Sequence, residues 1–136
     1  MLNYKRKNYF CAIIGMAKHN ITGKLGEQVA KELMEQKGYH ILETNWYSGK
    51  YELDLIACND QEIVFVEVKT RTSGFLEDPF DAVSDRKIRR TVAAADHYIK
   101  KFDIDLEARF DIIGVIVESN GTQVEHIEDA FYPPLW

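Results

Sequence analysis

With 136 residues, 46% hydrophobic and 29% charged, the chain can bury one domain's core and is too apolar to stay unfolded throughout. No apolar run nears the ~18 residues of a membrane span, and Cys11 and Cys58 lack metal-ligand or disulfide-scaffold spacing; a cytoplasmic protein with no membrane partner is expected. The formal net charge of -5 disfavours a polyanionic partner on average, yet residues 84–101 carry six bases against only Asp85 and Asp96.

Lys5-Arg6-Lys7 and the stretch from Tyr9 to Ala17 resemble the basic and apolar regions of a signal peptide. The apolar part is short, it includes Tyr9, and no convincing small-residue cleavage site precedes Lys18-His19. Residues 1–19 are therefore read as a disordered or adventitious extension, with Met16 as an alternative start, and residues 20–136 as a single domain. A helix is expected from Thr22 or Gly23, because Leu25, Val29 and Leu33 recur at i, i+4 and i+8, flanked by Ala30 and Met34. Glu27 falls at the edge of that stripe, and Gly38 is placed to end the helix as a left-handed cap.

Three strands should follow, Tyr39–Tyr47, Tyr51–Cys58 and Glu62–Thr70, separated by turns at Ser48-Gly49-Lys50 and Asn59-Asp60-Gln61. A loop containing Ser73-Gly74 and Asp78-Pro79 leads to a helix over Asp81–Lys101, with Val83, Ile88, Val92, Ala95 and Ile99 on one side. Phe110–Glu118 reads as a buried strand, and Asn120-Gly121 turns the chain into a last strand, Gln123–Ile127.

The hairpin of the second and third strands concentrates the chemistry. A turn centred between Asp60 and Gln61 sets Leu53, Leu55 and Ala57 opposite Val68, Val66 and Val64, an entirely apolar face. The other face then opposes Ile56 to Phe65, Asp54 to Glu67 and Glu52 to Lys69. A slip of one residue would put Glu67 among the leucines, so the apolar pattern selects this register. Like charges directly opposite one another are destabilising. A shared Mg²⁺ (or Mn²⁺) ion would account for Asp54 beside Glu67, and Lys69 on the same face would orient water or offset phosphoryl charge. The competing reading is a solvated face with Glu52 and Lys69 as a cross-strand ion pair.

These residues resemble the PD-(D/E)xK nucleases and the archaeal Holliday-junction resolvases, and most closely the YraN-like family of bacterial proteins. The likeness is carried by Gly23-Lys24-Leu25-Gly26-Glu27, Gly38-Tyr39-His40-Ile41-Leu42 with Asn45, Glu52-Leu53-Asp54-Leu55-Ile56 and Val64-Phe65-Val66-Glu67-Val68-Lys69-Thr70-Arg71. Pro79, Ala82-Val83, Lys87 and Arg109-Phe110-Asp111 extend it. It implies a restriction-endonuclease-like α/β core, a mixed sheet of about five strands flanked by helices. By the same resemblance Asp54 and Glu67 bind the metal, Lys69 is the base or charge stabiliser, and Glu27 completes the acidic cluster. Tyr51 stands where the family has glycine and Phe75-Leu76 where it has Phe-Gly, departures that touch none of the acidic residues.

The expected function is a metal-dependent endonuclease acting on DNA, including branched DNA, for which a homodimer would match the two-fold symmetry of a junction. A non-catalytic nucleic-acid-binding module with the same fold is the alternative. Arg71, Lys87 and Arg90 are the expected nucleic-acid contacts, with Arg86 and Arg89 beside them on the basic helix. His19, His40, His97 and His126 form no metal-type pair, Asp111 calls for a structural partner inside its apolar strand, and Trp46 and Tyr47 are assigned to packing over base stacking. The terminal Phe131-Tyr132-Pro133-Pro134-Leu135-Trp136 suits folding back, a dimer contact or a protein partner.

Overall fold

A computed structural model describes residues 18–72 and 84–132. The expected N-terminal extension up to Ala17, the loop with Phe75-Leu76 and Asp78-Pro79, Ala82-Val83 and the last four residues lie outside the described residues.

The chain runs α1 (Lys18–Gln36), β1 (His40–Ser48), β2 (Tyr51–Cys58), β3 (Glu62–Thr72), α2 (Asp85–Lys101), β4 (Glu107–Glu118) and β5 (Gly121–Ile127). The sheet has the order β1-β2-β3-β4-β5. Its pairs are antiparallel except β3 with β4, which run parallel with α2 in the connection between them. The result is the mixed five-stranded α/β sheet with flanking helices that the sequence implied. No described helix is long and apolar enough to cross a membrane.

Each face of the sheet buries one helix. Leu25, Val29 and Leu33 of α1 pack on Leu55, Ala57, Val64, Val66, Ile113 and Val115. On the other face Ala94, Ala95 and Tyr98 of α2 meet Ile56, Ile63, Phe65, Phe110 and Ile112. Alternation along β3 and β4 delivers residues to the two cores by parity, as the pleat requires. At the end of α1, Gly38 takes φ 94°, and the Tyr39 and Gly38 amides donate to the Met34 and Glu35 carbonyls, each at 3.0 Å. This is the expected left-handed cap, in Schellman form.

Several expectations shift. Helix α1 begins at Lys18, ahead of Thr22, because no glycine or proline interrupts Lys18–Ile21. Helix α2 begins at Asp85, with the Ser84 hydroxyl accepting from the Lys87 amide at 3.2 Å. Its buried line is Thr91, Ala94, Ala95 and Tyr98, with Ile88, Val92 and Ile99 only partly covered. Small residues let α2 approach the sheet closely, and the bulkier aliphatics flank that line. Strand β4 starts at Glu107, before its apolar run, since the charge of Arg109 is paired inside the fold. Phe131 folds back and stacks on Phe110 with ring centroids 5.2 Å apart, leaving Tyr132 exposed.

Candidate active site

Strands β2 and β3 pair in the expected register, Leu55 with Val66 through Cys58 with Ile63. The ladder then stops one pair short of Asp54 and Glu67. There the Asp54 carboxylate takes over a backbone role, its Oδ2 accepting from the Val68 amide at 3.0 Å. The expected pairings of Leu53 with Val68 and Glu52 with Lys69 therefore do not form part of the ladder. Leu53 packs instead with Ile56 and Phe65 in the core beneath α2. Strand β1 departs from regularity beside this point, with Asn45 at φ 49° in the left-handed region that asparagine tolerates.

Where the ladder ends, charged groups converge under the start of α2. Glu67 is buried, and its Oε1 lies 3.5 Å from both Lys69 Nζ and Lys87 Nζ. Burial first, and then the charge of Glu67, push the Asp54 carboxyl up to about 7, against a smaller opposing pull from the Val68 amide and Lys87. Two ammonium groups thus flank Glu67, while Asp54 remains under-compensated. Lys87, expected to reach a nucleic acid, is placed against Glu67 by its position one turn into α2. Glu52 is exposed and faces the Tyr47 hydroxyl, which lies 3.5 Å from its Oε1.

Glu27 approaches the same corner from α1. The charge of Glu52 above all, with smaller contributions from Glu27 and Asp54, raises the Tyr47 phenol above its ordinary range. The Glu27 carboxylate is held by Asn45, whose Nδ2 donates to Oε2 at 2.9 Å. Its helix can come this close because Gly26 has no side chain: a Cβ there would sit 1.9 Å from Thr70 Oγ1 on β3. Sequence reasoning named Gly26, Asn45 and Thr70 only as matches to a family pattern. The one local signal for Asn45 is a short polar side chain inside a strand rich in bulky residues.

The remaining expected contacts separate. Arg71 sits at the end of β3, its Nη1 donating to the Thr70 carbonyl at 3.3 Å. Arg90 is exposed on the outer side of α2 with Arg86 and Arg89. Trp46 packs edge-on against Tyr98 at 5.1 Å, whereas Tyr47 is 64% exposed.

The donor set suits a hard divalent ion, being two carboxylates of which one is left electrostatically unsatisfied. Among the described residues no three His, Cys, Asp or Glu side chains form a ready metal cage. An ion here would take Asp54 and Glu67 and complete its shell with water or phosphate oxygens, as Mg²⁺ characteristically does.

A mixed five-stranded sheet between helices, carrying two carboxylates and a lysine where β2 and β3 part, is an α/β fold that fits a restriction-endonuclease-like core. The chain belongs to UPF0102, described as an uncharacterised protein family, whose family model matches residues 26–115. It is 49% identical over 121 residues to a UPF0102 protein of Phocaeicola vulgatus, covering 89% of this chain and 100% of the relative. A UPF0102 protein of Parabacteroides distasonis is 50% identical over 119 residues, 88% of this chain and 98% of its own. One from Flavobacterium psychrophilum is 49% identical over 117 residues, covering 86% and 98%.

Proposed function

We propose that this protein is a metal-dependent endonuclease that hydrolyses phosphodiester bonds in DNA. The observation that carries the reading is half-buried Asp54 beside buried Glu67 at the end of a broken ladder, with Lys69 Nζ 3.5 Å from Glu67 Oε1. A fold seeking stability alone would complete the ladder or neutralise both acids, since a buried carboxylate without full compensation is costly.

Asp54 and Glu67 would hold Mg²⁺ or Mn²⁺. Such an ion, when bound, supplies Lewis-acid polarisation of the phosphoryl group and a more acidic water. Lys69 presents its ammonium beside the acidic pair, where it orients the attacking water and offsets negative charge building on the phosphoryl oxygens. Lys87 balances the charge of the buried Glu67. Glu27, positioned by Asn45, would add its negative charge from α1. Arg71, at the end of β3, and Arg90, exposed on α2, suit contacts to the backbone.

The deciding experiment compares the intact protein with Lys69→Ala on linear and branched DNA in Mg²⁺. Cleavage by the wild type and a fall of about 10²–10³-fold in the variant, with unchanged thermal unfolding, is the expected result. Equal activity in both proteins removes Lys69 from the chemistry. Tight binding with no cleavage by either would favour the non-catalytic binding module.

A further inference from the structure

Outside the acidic centre, α2 and the turn into β2 form a second arrangement that reaches beyond the expected contact at Arg90. Arg86, Arg89, Arg90 and Ala93 follow one another at i, i+3, i+4 and i+7, which puts them on a single face of the helix. That face borders a cleft of about 350 Å³ whose other wall is Lys50 and Tyr51, from the turn into β2. Ala93 leaves the floor open, and Lys50 Nζ lies 5.6 Å from the centre of the Tyr51 ring. The three arginines and Lys50 are exposed, and among the described residues none of them has a carboxylate partner. Four cations from two distant parts of a chain with net charge -5 therefore converge on one concavity. Like charges at i, i+3 and i+4 oppose helix stability, so the fold bears a cost here that a bound polyanion would reverse.

We propose that this cleft anchors the sugar-phosphate backbone of DNA beside the Asp54–Glu67 centre. This rests on the nucleic-acid reading above and extends it by assigning Lys50, Arg86 and Arg89 with Arg90 to one strand-holding site. The same turn of α2 that supplies Arg86 supplies Lys87 to Glu67, so the cleft and the acidic pair are fixed relative to one another. From Tyr51 to Asp54 is three strand residues, roughly 10 Å at ~3.3 Å per residue. At ~3.4 Å of helix axis per nucleotide, the anchored phosphates lie about three nucleotides from the bond to be broken. The cleft sets where the strand lies; it takes no part in the chemistry.

The test is fluorescence anisotropy with a short fluorescein-labelled DNA duplex, in EDTA so that no cleavage occurs, repeated across a range of NaCl concentrations. Arg89→Gln with Arg90→Gln should weaken binding by about tenfold or more and flatten the plot of log affinity against log salt by about 0.9 for each phosphate no longer neutralised. Lys50→Gln and Arg86→Gln should each flatten it by about one unit of slope. The double variant Lys100→Gln with Lys101→Gln removes the same charge from the far end of the helix and should leave the slope unchanged. Absence of DNA binding by the wild type, an unaltered slope in the arginine variants, or an equal weakening in the lysine control would overturn the cleft. Binding that follows this pattern in a protein that cleaves nothing in Mg²⁺ would retain the cleft and remove the nuclease reading. Cleavage that persists with unaltered KM in the arginine variants would do the opposite.

Discussion

Asp111 and Asp54 are both covered carboxylates of the same sheet, and their surroundings could hardly differ more. Asp111 is fully buried, yet Arg109 meets it with two hydrogen bonds of 2.9 and 2.8 Å, His126 Nε2 lies at 2.7 Å and the Asp129 amide donates at 3.1 Å. Arg109 in turn pairs with Glu62, and Lys37 Nζ lies 2.6 Å from His126 Nδ1. Burial raises the Asp111 carboxyl, but His126 and Arg109 outweigh it and hold it below the ordinary range. Asp54 has one backbone amide, a distant share of Lys87 and a second acid as its neighbour, so it is pushed the other way. The first arrangement is what a carboxylate needs to be structural; the second leaves an electrostatic deficit that a substrate or ion can fill.

The largest effect that would sharpen this contrast is at Asp111. Asp111→Ala takes away the only anion paired with the buried His126 side chain among the described residues and leaves half-buried Arg109 to Glu62, and urea unfolding should register a loss of about 3–5 kcal/mol. A loss below about 1 kcal/mol would mean that the network is slack and that the contrast fails.

Asp54 should behave in the opposite sense. Its folded-state value of about 7 lies above the ordinary 3.8, so the folded protein binds more protons than the unfolded chain between those values. Stability therefore falls as pH rises through that window. In EDTA at pH 8, Asp54→Asn should raise stability by on the order of 2 kcal/mol, and the gain should vanish by about pH 4. A destabilised variant at pH 8 would show that the charge of Asp54 gains more from the Val68 amide and Lys87 than it loses to burial and Glu67.

A smaller effect is expected at the joint that brings Glu27 to the site. Gly26→Ala introduces a methyl group into Thr70 and should cost about 1 kcal/mol or more. Adding Thr70→Ala should recover part of that loss, because it removes Oγ1, the nearest atom. Recovery of no part of it would place the strain elsewhere.

Much of the fold was legible because apolar periodicity is a local property. The stripe of Leu25, Val29 and Leu33, the register of Leu55 against Val66 and the cap at Gly38 all follow from residues within a few turns or one hairpin of each other. The same register, read from apolar alternation alone, already brings Asp54 toward Glu67. Chain pattern fails where a polar group substitutes for the backbone. No periodicity could reveal that the β2–β3 ladder ends at Leu55 and Val66 and that Asp54 then binds the Val68 amide, nor that Leu53 changes core.

By itself, then, the amino-acid order determined the elements, their apolar faces and the set of charged residues around one hairpin, since each depends on short-range spacing. Tertiary structure decided which charges meet. Lys87 lies twenty residues from Glu67 in sequence but meets it from α2, Lys69 is drawn to Glu67 and not to Glu52, and Arg109 gathers Glu62 with Asp111. Electrostatic partners are set by distance and burial in space, and those exist only after both helices have docked on the sheet.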